Sequence, residues 1–156
     1  NESSLDFFKN LEFMYVEDDE PGKRIFVHSS PLFPENWQYI ISLQSAQMVF
    51  MAMEEDVRIV FIGHSHIPAV FTENMEGTRK LSPKDFIIKP GERAIVNVGS
   101  VGQPRDKDPR ASYVIYDTEK RKIHFLRVDY DYERACEAIL ERGLPAILGE
   151  RLKRGK

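Results

Sequence analysis

Residues 58–68 read RIVFIGHSHIP, in which an apolar run is followed by a glycine, two histidines and a proline. The apolar run is typical of a short strand that is buried on both faces. We expect Gly63 to make a tight turn and Pro68 to end the regular structure. The pattern therefore predicts that His64 and His66 lie at the rim of a sheet, where α/β proteins bind their ligands.

Two other apolar runs end in polar loops of the same kind. Residues 25–27 lead into His28 and the sequence SSP, and residues 95–96 lead into Asn97 and a glycine-rich loop. If these strands and 58–62 are parallel in one sheet, the three loops meet at one edge. Because no single loop supplies enough ligands, this shared edge predicts a metal site. The predicted metal ligands are His28, His64 and His66.

Imidazole binds metal in its neutral form and suits zinc, manganese or iron. Three histidines alone carry no negative charge to offset two dications, and a two-metal site needs a bridging carboxylate. The nearby acids, Asp106 and Asp108, lie in a loop with the composition of turns. The sequence thus shows part of a metal site. For His28 taken alone, an ordinary structural role after a strand is the alternative, and His124 is assigned a structural role.

The glycine-rich loop 97–106 has two interpretations. Its backbone N–H groups can approach an anion closely, or the loop is only a turn. On the first interpretation, the candidate substrate-binding residues are Asn97, Ser100 and Arg105. The alternative for Arg105 is an ion pair with its neighbour Asp106.

The composition is that of an ordinary globular domain. The chain has 156 residues, of which 42% are hydrophobic and 30% charged, with a net charge of −3. These values predict a single domain over 1–156, with no general affinity for nucleic acid or anionic membranes and no membrane span. The one cysteine, Cys136, cannot form an internal disulfide, which favours a reducing, cytoplasmic location.

The order of the predicted elements indicates the fold class. Strands dominate from 58 to 128, with helices at both ends, and this order favours an α/β layered β-sandwich with mixed sheets flanked by helices. Strands are predicted at 11–16, 24–27, 58–62, 69–72, 86–88, 94–98, 112–116 and 123–128, with 86–88 and 94–98 forming a hairpin. Helices are predicted at 39–53, 131–140 and 146–152.

Three motifs together resemble those of one enzyme family. GHSHIP at 63–68 resembles the G-H-x-H signature of the calcineurin-like metallophosphoesterases, in the form seen in small prokaryotic members. FVHSSP at 26–31 is similar to the histidine motif that precedes it, and NVGSVGQPRD at 97–106 to the loop that follows. The resemblance implies a β-sandwich flanked by helices, with two divalent metal ions (Mn, Fe or Zn) that act in hydrolysing small-molecule phosphate esters. It also implies that His28 and His64 bind one metal ion and His66 the other.

The chain departs from this family's pattern in one respect. The family's D-x-H, G-D and G-N-H motifs, which supply the bridging carboxylate and the general acid, are absent from the 156 residues, and the chain begins with Asn1 rather than methionine. We therefore expect a C-terminal part of a phosphoesterase domain that is inactive alone and pairs with the missing N-terminal half or with itself. The alternative is a non-catalytic interaction module that retains the fold. A metallo-β-lactamase-like hydrolase is set aside, because Ile67 and Pro68 stand where that family continues to an aspartate.

Overall fold

The computed structural model describes residues 2–18 and 22–156. In chain order the elements are α1 (Glu2–Lys9), β1 (Met14–Glu17), β2 (Lys23–Val27), a 3₁₀ turn (Pro34–Asn36), α2 (Leu43–Ala52), β3 (Val57–Ile62), β4 (Ala69–Asn74), β5 (Gly77–Leu81), β6 (Phe86–Ile87), β7 (Arg93–Asn97), β8 (Ala111–Asp117), β9 (Lys122–Val128), α3 (Tyr132–Glu141) and α4 (Ala146–Arg154). Within these residues, no helix is long and apolar enough to cross a membrane.

The strands form two sheets. The larger has the order β1-β2-β3-β7-β4-β5, and the smaller has the order β6-β9-β8. Strands β2, β3 and β7 are parallel neighbours, which is the condition on which the shared edge of the three polar loops depends. Strands β1, β4 and β5 join the larger sheet antiparallel. This mixed α/β architecture, with sheets and helices in layers, confirms the predicted fold class.

The centre of the larger sheet is buried on both faces. Val60 and Ile62 of β3 pack with Phe50 of α2 in one apolar cluster. Ile59 and Phe61 of the same strand belong to a second cluster that includes Ile123, Val114 and Phe125 of the smaller sheet. Covered faces explain why β3 is a continuous apolar run rather than an alternating one.

Two predicted elements differ from the structure. The predicted hairpin of 86–88 with 94–98 is wrong: β6 pairs with β9, whereas β7 lies between β3 and β4. Helix α2 begins at Leu43 rather than near residue 39, because Ser42 and Ser45 form a reciprocal capping box at its start.

The two C-terminal helices pack closely against each other. The Cys136 thiol of α3 donates to the Gly149 carbonyl of α4 at 3.0 Å. A Cβ atom at Gly149 would lie 3.1 Å from Cβ of Cys136, which is tighter than normal contact. Glycine at this position therefore lets α4 approach α3, and this contact fixes where the C-terminal end of α4 lies.

Candidate metal centre

The loops that follow β2, β3 and β7 lie side by side at one edge of the larger sheet. The Gly63 N–H donates to the His28 carbonyl at 2.9 Å, and the Val98 N–H donates to the Ile62 carbonyl at 2.9 Å. These bonds continue the hydrogen-bonding pattern of the parallel strands into the loops. The polar residues after the three strands are therefore held in register with one another.

His28 and His64 come together at this edge. Their ring centroids are 5.2 Å apart, with an angle of 65° between the ring planes. Partial burial, and then the positive charges that His64 and His66 carry when protonated, hold the pKa of His28 below its ordinary value of 6.5. The His28 ring keeps contact with solvent, so the burial is partial. A lowered pKa favours the neutral imidazole, which is the form that binds metal.

Aromatic rings that the sequence analysis missed pack around these histidines. Tyr39 stacks on His64 with the ring centroids 4.1 Å apart and an angle of 15°. Trp37 lies 5.5 Å from the His28 ring and 5.7 Å from the His64 ring. Both aromatic rings are about half exposed. Both residues follow His28 in the proline-containing loop, so their closeness in the sequence was a possible indication. Their spacing, however, has no strand or helix period from which a contact with the histidines could be predicted.

The loop after β7 holds the His66 ring. Its Nδ1 lies 2.6 Å from the backbone carbonyl of Gln103. Because a carbonyl can only accept, Nδ1 carries the hydrogen, and Nε2 keeps a lone pair for another partner. Metal-binding histidines commonly have such a carbonyl partner on the second nitrogen.

The turn after β3 differs from the expected one. His64 and His66 have positive φ angles of 57° and 59°, whereas Gly63 does not. A tight turn does begin at Gly63, whose carbonyl accepts from the Ser65 N–H at 2.6 Å. The residues that occupy the left-handed region are the two histidines, at a cost of about 1–2 kcal/mol each. A Cβ at Gly63 would lie 3.7 Å from Nδ1 of His28. This is an ordinary van der Waals distance, so a Cβ at residue 63 would not crowd the His28 ring, and the strained backbone falls on the two histidines.

Asn97 at the end of β7 holds this turn in place. Its side chain is 1% exposed. The amide donates to the Gly63 carbonyl at 2.6 Å and to Ser65 Oγ at 2.9 Å, and the amide oxygen accepts from the Gly99 N–H at 3.0 Å. Asn97 thus joins the loop after β3 to the loop after β7.

The other residues predicted on the substrate side lie in the same loop. Ser100 Oγ accepts from the backbone N–H groups of Gly102 and Gln103 at 3.1 and 3.0 Å. Arg105 is exposed, and its backbone N–H donates to the His66 carbonyl at 3.1 Å. Asp106 forms its ion pair with Arg127 of β9. Substrate binding by Asn97, Ser100 and Arg105 stays a prediction.

The donor set fits part of a metal site. The edge offers imidazole nitrogens, one of them in a fixed tautomer, to a borderline-soft divalent ion. Across residues 2–18 and 22–156, however, no three side chains of His, Cys, Asp or Glu are grouped so that they could hold a metal ion together. In this part of the chain, carboxylates therefore do not complete a metal site around these histidines.

Comparison with known proteins agrees with the predicted family. A model of the calcineurin-like phosphoesterase superfamily domain matches residues 6–121. An uncharacterised protein of Methanocaldococcus jannaschii, MJ0912, is 38% identical over 98% of the chain. The crystal structure of a metallophosphoesterase from Sphaerobacter thermophilus superposes over 100% of the chain with a TM-score of 0.87 and 31% identity.

A further solved structure shares the fold alone. The hypothetical protein PH1004 from Pyrococcus horikoshii OT3 superposes over 99% of the chain with a TM-score of 0.74 and 18% identity. The chain spans 60% of the M. jannaschii protein, 62% of the S. thermophilus chain and 55% of the P. horikoshii chain. On the match of the family model over most of its length, the chain belongs to the calcineurin-like phosphoesterase superfamily.

Proposed function

We propose that this chain contributes His28, His64 and His66 as ligands to a two-metal site that hydrolyses phosphate esters of small molecules. The observation that carries the proposal is the meeting of His28 and His64 at the carboxyl edge of three parallel strands, 5.2 Å between ring centroids. His28 and His64 bind one ion and His66 binds the other. Manganese, iron and zinc are the ions that suit these nitrogens.

The surroundings of the rings support this assignment. Tyr39 covers one face of His64, and the Gln103 carbonyl orients the ring of His66. Rings held in this way lose little rotational freedom on binding an ion, which favours affinity. His124, by contrast, lies on β9 and pairs with Asp85 at 2.8 Å, away from this edge. His124 is therefore assigned no part in the site.

On the substrate side, Arg105 is the best placed of the three candidates. Its side chain is exposed, while its backbone is bonded to His66. A guanidinium can bind two oxygens of a phosphate group in a bidentate manner. The side-chain groups of Asn97 and Ser100 already bond to the loops, so we propose that these two shape the pocket through the backbone.

Bound divalent ions supply Lewis-acid polarisation of the phosphoryl oxygens and lower the pKa of water. The chain's own residues bind and orient the ions, and Arg105 orients the ester. The three motifs that provide the bridging carboxylate and the general acid in this family do not occur in the sequence. We therefore propose that catalysis requires groups outside these 156 residues.

A metal titration tests the ligand assignment. Calorimetry with MnCl₂ and ZnCl₂ should show binding to the chain, and the triple variant His28→Ala/His64→Ala/His66→Ala should bind at least about tenfold more weakly. The matched control is His124→Ala, which removes the remaining histidine of the sequence and should bind like the parent. Equal affinity of the parent and the triple variant contradicts the proposal and favours the non-catalytic interaction module.

An assay of phosphate ester hydrolysis tests whether other groups are needed. With p-nitrophenyl phosphate or bis(p-nitrophenyl) phosphate and manganese, the chain and its triple variant should both give background rates. A rate in the parent that disappears in the triple variant would show that the chain is active alone, and the requirement for outside groups would then be wrong.

A further inference from the structure

The C-terminal end of the chain folds back onto the glycine-rich loop. The Gly155 carbonyl accepts from the Lys107 N–H at 2.9 Å, and the Lys156 carbonyl accepts from Nε2 of Gln103 at 3.1 Å. Gly155 is buried with a φ of 59°, and a Cβ there would lie 2.6 Å from the Asp108 nitrogen. Only glycine permits this approach, both because of its backbone angle and because a side chain has no room.

The loop that receives the C-terminus is the loop that orients His66. Gln103 is bonded at three points: its N–H donates to Ser100 Oγ at 3.0 Å, its side-chain amide donates to Lys156, and its carbonyl accepts from His66. The Arg105 N–H, two residues further on, donates to the His66 carbonyl. A displacement of Gln103 therefore moves the group that fixes the His66 tautomer.

The position of the C-terminus depends in turn on α3 and α4. Gly149 brings α4 against Cys136 of α3, and the last turn of α4 ends at Gly155 in the left-handed conformation. A continuous set of contacts thus runs from α3 and α4 through Gly155, Lys156 and Gln103 to His66. His66 and the two C-terminal helices are far apart in the sequence.

We propose that residues 155–156 are positioning residues for His66: by holding Gln103, they fix the imidazole in the tautomer with hydrogen on Nδ1. The importance of this tautomer for metal binding rests on the proposed function, in which His66 is a ligand. The claim about the tautomer concerns the metal-free chain. The two claims can therefore fail separately.

Three variants test the proposal. Gly155→Ala places a methyl group against the backbone of Asp108 and strains the C-terminus. Gln103→Ala removes the side-chain bond to Lys156, and Gln103→Glu keeps the size of the side chain but replaces its donor with an acceptor. The matched control is Gly91→Ala, because Gly91 also has a positive φ, of 76°, but has no atom within 4 Å of an added Cβ and lies outside α3 and α4.

The measurement is the pair of ¹⁵N chemical shifts of the His66 ring in the metal-free chain, at a pH above the titration range of imidazole. The parent and Gly91→Ala should show one tautomer, with hydrogen on Nδ1. Gly155→Ala, Gln103→Ala and Gln103→Glu should populate the other tautomer and shift the His66 signals, while the signals of His124 stay unchanged. The affinity of these three variants for ZnCl₂ should fall by about tenfold relative to the parent.

Unchanged His66 ring shifts in the two Gln103 variants overturn the proposal, and since these variants alter one partly exposed side chain, folding should survive. If the tautomer changes as expected but the parent binds no metal, the proposed function fails and the positioning role of residues 155–156 stands. A change of the His66 tautomer in Gly91→Ala also overturns the proposal, because the effect would then not depend on the contact between residues 155–156 and Gln103.

Discussion

Asn97 is the side chain on which the geometry of the candidate metal centre most depends. It is buried, and its three hydrogen bonds engage Gly63, Ser65 and Gly99 on two different loops. These bonds help offset the cost of the left-handed backbone at His64 and His66. A residue that the sequence suggested as a substrate contact therefore has a second role that is visible in the structure.

Substitution of Asn97 should destabilise the protein. Asn97→Ala leaves the buried Gly99 N–H without its partner and removes one of two bonds to the Gly63 carbonyl, which also accepts from the Ser65 N–H. We expect a loss of about 1–3 kcal/mol in the free energy of unfolding. Urea denaturation measures this quantity. Asn74→Ala is the control, because Asn74 also accepts a backbone N–H, that of Glu76, but in an exposed turn. The control should lose less than about 1 kcal/mol, and equal losses would contradict the role given to Asn97.

Of the site residues, the sequence could indicate His28 and His64 because each lies within two residues of the end of a strand that the apolar pattern identifies. The Gln103 partner of His66 could not be predicted, since it acts through its backbone carbonyl, which every residue possesses. Tyr39 and Trp37 were missed for a different reason. Their contacts depend on the path of an irregular loop with left-handed residues at Phe33 and Trp37, which no periodicity encodes.

Among the elements, the connection from β7 to β8 brings the two sheets close together. Gly99 has a φ of 83°, and a Cβ there would lie 2.5 Å from Ser112 Oγ on β8 and 2.8 Å from Cγ of Pro68. Ser112 in turn donates to the Val98 carbonyl and, through its N–H, to the Ser100 carbonyl. This loop therefore has no space for a side chain at the point where the smaller sheet meets the larger one.

Two glycine substitutions separate the cost of the backbone angle from the cost of the contact. Gly91→Ala at a φ of 76°, with no atom within 4 Å of an added Cβ, should cost about 1–2 kcal/mol. Gly99→Ala should cost at least about 1–3 kcal/mol more, because the methyl group also overlaps Ser112 and Pro68. Thermal unfolding of both variants measures the difference. Equal midpoints would mean that the loop shifts to accommodate the methyl group.

The central strands were predictable because parallel strands covered on both faces leave long apolar runs in the sequence. The outer strands of the two sheets were less predictable. Strand β5 is not among the predicted strands, since its sequence GTRKL is mostly polar and carries little burial signal. Strand β6 has only two residues and pairs with β9, which lies more than 30 residues away, so the nearby Pro90-Gly91 turn suggested the wrong partner.

At the scale of the whole molecule, carboxylates that are bonded to basic side chains or to backbone N–H groups make the free energy of unfolding depend on pH. A hydrogen bond from Arg110 holds the pKa of Asp108 at about 2, below its ordinary value of 3.8, against the opposing effect of burial. The pKa values of Asp56, Asp85 and Asp117 are also lowered, by bonds to Lys23, Phe125 and Lys120 respectively. Because each pKa is lower in the folded state, this stabilisation is present above the unfolded values and is lost as the pH falls.

Asp108→Asn should reduce the free energy of unfolding at neutral pH by about 1–2 kcal/mol, after allowance for partial exposure. Between pH 3.8 and a pH of about 2, Asp108 takes up its proton in the parent, and the parent loses this stabilisation. The free energy of unfolding of Asp108→Asn should therefore fall less steeply over this pH range. Urea denaturation across this range checks the slope. The exposed Asp6→Asn serves as the control and should follow the parent; a variant at Asp108 that also follows the parent would contradict the assignment.

Trp37, which touches the rings of both His28 and His64, is the only tryptophan of the chain. Its fluorescence therefore originates entirely from the candidate metal centre, and selective excitation of indole monitors that site without any dye or label. Paramagnetic manganese seated on the two imidazoles should quench the emission, and replacement of both histidines by alanine should abolish the quenching.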